Sequence, residues 1–336
     1  MGEWIDSVEH KARIIHEQLA VAQSLAKQNG APTDEISKPY LELLRKLYEE
    51  EYTFAQLADS SDLVARFAGP AVSEADPTVT IVTSVFSDLR NQIRGIAKSI
   101  VGLSDAKRLR WPSELDPHLS GLAHGSLVVG ISIPKPADEE ATEQQVIPGI
   151  SDQIYESVLS AVRSLSTVAH YIGDTDISEE IVKQFPDPAI RDTVMVAASR
   201  LAPSGRKGIE SLSLYGPDQD ELPSILTTKS RKILNHALSK PVRKKGTGTF
   251  EGTVREIDLD ARRFEIRQVR GAGTIRCVYD STMDQVVRNI LDAQIKVSGD
   301  YEAFENEQPR LIGVAAIDIT RPPSKQLNID IDENDL

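Results

Sequence analysis

A single cysteine in 336 residues, Cys277, excludes an intramolecular disulfide and a cysteine-based zinc cluster, and nothing in the composition points to an oxidising compartment. Long apolar runs are missing too. No stretch approaches the ~18 consecutive apolar residues of a membrane span, and the opening "MGEWIDSVEHKARII" has charges where a secretory core would be apolar. Asp6 stands where an N-myristoylation motif wants Ser or Thr, so no lipid anchor is read; the cytoplasm is the expected location and a membrane partner is not expected. No internal repeat recurs at solenoid spacing. Phosphate-loop signatures fail: in "KKGTGTFEG" the lysines precede the glycines and a strand follows, and "PSGRKGIES" fails the same test.

Catalytic and metal signatures are equally sparse. His118 and His124 lie in "ELDPHLSGLAHGS" beside Glu114 and Asp116, which offers imidazole and carboxylate for metal or acid-base work. Their spacing matches no helical H-x-x-x-H pair, and the segment reads as a loop broken by Pro and Gly. His10 and His16 fall on different faces of one helix, while His170 and His236 end helices, where an imidazolium meets the carbonyl-rich terminus. Cys277 alternates with Ile275 and Tyr279 as a core residue rather than a nucleophile. No catalytic residue, metal site or cofactor is read from these patterns.

What the chain does contain is an ordinary globular composition, 40% hydrophobic and 26% charged, with room for two domains at ~150 residues each. Its net charge of -13 is unevenly spread. Residues 1–239 carry 23 Lys and Arg against 34 Asp and Glu, residues 240–291 carry 11 against 7, and residues 292–336 carry 4 against 10. A basic block between two acidic ones is a hint about association and none about fold.

Helical periodicity dominates the first hundred residues. Ala12, Ile15, Leu19, Ala22 and Ala26 recur at three- and four-residue steps across 8–28, with Ser7 as N-cap and Gly30 as terminator. Ser37 and Pro39 predict the start of a second helix, "KPYLELLRKLYEE". A third runs from Asp76 and Pro77 to Gly102, with Val82, Phe86, Leu89, Ile93, Ile96 and Ile100 on one face. The segments 62–69 and 125–134 are short, β-branched and bounded by Gly or Pro, so both are expected as strands. An acidic loop follows at 134–149. Helices are predicted over 151–172, 187–202 and 228–240, with a strand at 208–216 between the last two.

From Thr249 onward three strands, a short helix over 281–292 capped by Ser281 and Asp284, and two more strands follow one another. That element order resembles the OB-fold, a five-stranded Greek-key barrel, over about 75 residues and at fold level only. The expected fold is α+β: a helix-rich, acidic N-terminal α+β domain over 1–240, an OB-like five-stranded β-barrel with one helix over 246–320, and an acidic tail over 321–336. In the barrel Val254, Phe264, Ile266, Ile275, Cys277, Tyr279, Ile295, Val297 and Tyr301 are expected to point inward, and Arg255, Arg267 and Arg276 outward.

The outward arginines raise the question of a ligand. OB-folds that bind oligonucleotides use the face of strands two and three, pairing cations with stacking rings. Here Arg255, Arg267 and Arg276, with Arg263 on the hairpin and Lys244 and Lys245 in the joint "SKPVRKKGTGT", supply cations, while no ring is left on the outward positions. The alternative is cross-strand pairing with Glu256 and Glu265 on a solvated face. A second basic cluster, Lys107, Arg108, Arg110 and Trp111, follows the helix carrying Arg90, Arg94 and Lys98. These features point to a non-enzymatic binding or assembly protein that contacts nucleic acid or an acidic protein partner. A scaffold subunit or homo-oligomer held by protein contacts, and a hydrolase with its site near His124, are the alternatives.

Overall fold

The computed structural model describes residues 3–73, 77–101, 116–123, 127–135, 150–206, 208–216, 222–304 and 308–323. The chain opens with α1 (Glu3–Asn29), which Gly30 ends at φ +69°, as its lack of a side chain allows. Helix α2 (Thr33–Lys46) starts before the expected cap: Ser37 lies inside it and donates its hydroxyl to Thr33 O at 2.7 Å, and Pro39 is an interior residue. Asp34 and Glu35 in the first turn favour the earlier start, because carboxylates suit the positive end of the helix dipole. A π-helical turn (Leu47–Glu51) leads into α3 (Tyr52–Asp59), β1 (Leu63–Ala68), α4 (Pro70–Ser73) and α5 (Val79–Val101). In α5 the buried stripe is Val85, Leu89, Ile93, Ile96 and Ala97.

Next come β2 (His118–Ala123), β3 (Leu127–Ser132), α6 (Ile150–Thr167), α7 (Ile181–Gln184) and α8 (Pro188–Leu201). They are followed by β4 (Ser211–Tyr215), β5 (Ser224–Thr227) and α9 (Thr228–Ala237). Strands β6 (Gly246–Asp258), β7 (Arg263–Val269) and β8 (Gly273–Val278), the short α10 (Asp284–Val287), β9 (Gln294–Phe304) and β10 (Gln308–Arg321) complete the order. The stretch 118–123, expected as loop, is strand β2, and β5 also appears where none was expected. The turn before α10 is capped by Asp280, whose carboxylate accepts from Thr282 N at 3.0 Å, in place of Ser281. The expected tail beyond Pro323 and the acidic loop from 136 to 149 lie outside the described residues.

The chain divides into two compact units, one of 1–175 with 193–234 and one of 176–192 with 235–336. In the first unit an antiparallel sheet runs β2-β3-β1-β4-β5. Helix α3 packs on β1 and β2, and α6 on β4 and β5, while Trp4, Phe54 and Tyr215 meet edge to face at 4.9–6.2 Å.

In the second unit β10-β8-β7-β6-β9 closes into a barrel, since β9 also pairs with β10; β8 and β10 run parallel and the other pairs antiparallel. Alternation places Val254, Phe264, Ile266, Ile275, Cys277, Tyr279, Ile295 and Val297 in one buried cluster, with Tyr301 packed partly buried against it. Burial at this density, ~25 cal/mol for each Å² of apolar surface, is what closes the barrel. Among the described residues no helix is long and apolar enough to cross a membrane.

Candidate functional site

The second unit owes its charged face to one helix start. "DPAIRD" places Asp187 as N-cap of α8, its carboxylate accepting from Ala189 N at 2.8 Å, and Pro188 at the first helical position, where a missing N–H costs nothing. Helical spacing then brings Asp187, Arg191 and Asp192 together at the N-terminal end of α8. All three reach the barrel.

On the barrel side, period-two alternation points Arg263, Glu265 and Arg276 away from the apolar interior, with Glu265 and Arg276 opposite each other across β7 and β8. Asp192 sits between two guanidinium groups. Arg263 donates to it from Nε (2.9 Å) and Nη2 (2.8 Å), and Arg276 from Nε (2.6 Å). Arg263 spends its remaining donors on Leu238 O (2.7 Å) and Ala261 O (2.8 Å). Arg310 on β10 holds Asp187 at 3.1 Å, and the buried Arg191 pairs with Glu302 of β9 while donating to Phe185 O at 3.0 Å. Glu265 lies 3.7 Å from Arg276 and 3.9 Å from Arg267.

Electrostatics follow from this enclosure. Burial alone would raise the Asp192 carboxyl, but the charges and hydrogen bonds of Arg263 and Arg276 outweigh it and hold it below the usual carboxylate value. For Arg276 burial pulls the other way, and Asp192 with Glu265 and Glu256 more than restores the charged form. Glu265 is the exception: burial pushes its carboxyl up further than Arg276 pulls it down. Five arginines (191, 263, 267, 276, 310) thus face five carboxylates (187, 192, 256, 265, 302) within the unit.

That balance corrects the expectation of a solvated face: the arginines do point out of the barrel interior, but into a cover of carboxylates. Arg267 and Arg263 are buried and Arg276 is nearly so, because carboxylates of residues 187–192 and of the barrel itself cover them. Arg255 leaves the group and pairs with Asp292 at 2.7 Å, not with Glu256. Lys244 and Lys245 are exposed, Lys244 making a 2.8 Å ion pair with Asp300. Lys107, Arg108, Arg110 and Trp111 lie outside the described residues, as does His124. Of the strip expected beside them, Arg90 and Arg94 hold Asp116 at 2.7 and 2.9 Å in the first unit. His118 is exposed on β2. Among the described residues no three His, Cys, Asp or Glu side chains are grouped to hold a metal ion. Burial holds the Cys277 thiol well above its ordinary pKa, hence protonated.

Sequence reasoning singled out the hairpin arginines and missed their partners, Asp187 and Asp192. The one signal for them was the acid-flanked helix start "DPAIRD". Comparison with models of protein families, with curated proteins and with solved structures yields no match to this chain.

Proposed function

We propose that this chain is a non-enzymatic binding protein whose second unit is an OB-like barrel that takes an anionic ligand, nucleic acid being the favoured class. The observation that carries the reading is the strand order: β8 runs parallel to β10 and α10 lies between the third and fourth strands, the arrangement of five-stranded barrels used as binding modules. The ligand class rests on that fold-level likeness and on charge. Arg263, Arg267 and Arg276 are left out of the ligand contacts, because displacing Asp192 from the first and third, or Glu265 from the second, would strand buried charge, at several kcal/mol. The exposed cations of residues 240–291 are Lys240, Arg243, Lys244, Lys245, Arg262, Arg270 and Arg288.

The test is retention of the full chain on immobilised oligo(dT) and on phosphocellulose. Binding at about 50 mM salt with release by about 200 mM is expected, since phosphate contacts release counterions. Passage through both columns at low salt would overturn the reading.

A further inference from the structure

Resting on that reading, we propose that the ligand site is the basic joint at residues 240–245 together with the aromatic end of the barrel beside it, and that its ligand is single-stranded nucleic acid. Four cations fall within six residues here, Lys240, Arg243, Lys244 and Lys245, and all four are exposed. The joint is held against the barrel along its length. Lys245 N donates to Tyr301 O at 2.8 Å and Lys244 pairs with Asp300, while just before the joint Ser239 closes the end of α9 by donating its hydroxyl to His236 O at 2.7 Å. Pro241 lies so close to Gly313 that a side chain there would meet its ring at 2.8 Å. Cations presented from a fixed backbone lose less entropy on meeting a phosphate chain than cations on a loose one.

What lies next to the joint distinguishes nucleic acid from an acidic polypeptide. Strand β6 begins Gly246, Thr247, Gly248, Thr249, Phe250 and pairs with β9 so that Gly246 faces Tyr301 and Phe250 faces Val297. The glycines leave room for rings: a Cβ on Gly248 would lie 2.8 Å from Phe250 and 3.2 Å from Tyr301. Phe250 and Tyr301 meet edge to face at 5.4 Å, and both are only partly buried at the end of the barrel core. Partly open rings beside a run of cations suit unpaired bases, which stack on aromatic surface while the backbone follows the positive charge. Carboxylates have no use for rings. On the opposite side of the same strands stand Thr247, Thr249 and Ser298, with Thr247 already donating to Asp300 at 2.9 Å.

The experiment is an anisotropy titration of labelled oligo(dT) with the full chain, in parallel with K240E/R243E, F250L and a control, R270E/R288E. Lys244 and Lys245 are spared because both already have partners. The K240E/R243E variant changes exposed side chains only, so its circular dichroism stays that of the parent, and Leu in place of Phe250 keeps apolar volume at the barrel end. We expect K240E/R243E to lose at least about tenfold in affinity at low salt, with a log–log salt slope shallower by about 1.4, as two lost contacts at ~0.7 each require. F250L loses about tenfold as one stacked base is released, and the control binds like the parent. Parent binding with an unchanged K240E/R243E overturns the site alone. Unchanged F250L, or displacement of oligo(dT) by polyglutamate at equal charge, overturns the ligand class in favour of an acidic protein. Failure of the parent to bind oligo(dT) at low salt overturns the ligand class alone where phosphocellulose still retains the chain, and the proposed function itself where it does not.

Discussion

Asp192 is the residue on which the second unit's charged face turns. Its carboxylate is buried, and Arg263 and Arg276 are compatible with burial only because it is there. Replacing Asp192 by Ala is expected to cost ~3–5 kcal/mol in urea unfolding at pH 7, the penalty for breaking a buried pair from one side. Arg276→Ala is expected to fall in the same range, whereas an outward arginine on a solvated strand would cost little. A loss below ~1 kcal/mol for both would place the cluster with exposed ion pairs. The pH dependence has a definite sign. Because the folded-state value of Asp192 is depressed, its contribution is fully present above the unfolded-state value of about 3.9 and drains as pH falls through the lower folded one. The gap between the parent and Asp192→Asn should therefore persist to about pH 4 and narrow below it. Glu265 has the opposite sign: its folded value is raised, so ionising it opposes the fold as pH climbs from about 4.3 through that raised value.

Among the elements, those that read clearly in the sequence are the ones whose own periodicity meets a packed surface. The strands β6 to β10 alternate because one side of each lines a closed interior, and α5 shows its stripe because one face is buried. Strands β2 and β5 were illegible for a physical reason. They are the two edges of the open sheet: β2 leaves Leu119 and Leu122 exposed, and in β5 the buried positions are Ser224 and Leu226 while the exposed one is the apolar Ile225, so neither shows apolar residues inside alternating with polar ones outside. The start of α2 misled because Ser37 and Pro39 have the chemistry of a cap and first turn, while the acidic pair two to three residues earlier set the real start. The site was half legible: three of its five arginines, Arg263, Arg267 and Arg276, sit in one local hairpin, but Asp192 lies 71 positions before Arg263 and Asp187 lies 123 before Arg310. Local spacing cannot report such pairs. At this scale the glycines of β6 make a prediction. Gly248→Val puts a branched side chain where Phe250 and Tyr301 now meet, and it is expected to cost ~1–3 kcal/mol in thermal or urea unfolding. A neutral effect would mean the rings move aside freely.

For the molecule as a whole, the consequence is that the second unit is discontinuous in sequence. The joint at 240–245 looks like a domain boundary, yet residues 176–192 belong with the barrel and the joint itself packs on β9. A fragment of residues 246–320 would keep all the strands but lose Asp187 and Asp192, leaving Arg263, Arg276 and Arg310 without the carboxylates that neutralise them. Two effects follow from that loss. The fragment should unfold at a lower temperature than a version in which 176–192 is joined through a Gly/Ser linker to 235–323, the difference corresponding to the several kcal/mol of broken buried pairs. It should also bind polyanions through the uncovered face, with a salt dependence steeper than that of the full chain because more cations meet phosphate. Calorimetry and oligo(dT) anisotropy on the two fragments measure both effects. Equal melting temperatures together with equal polyanion affinities would show that 176–192 only rests on a barrel that is complete without it. The same reasoning requires the joint to be tested in the full chain, because the 246–320 fragment lacks Lys240 to Lys245 and exposes arginines that the native fold keeps occupied.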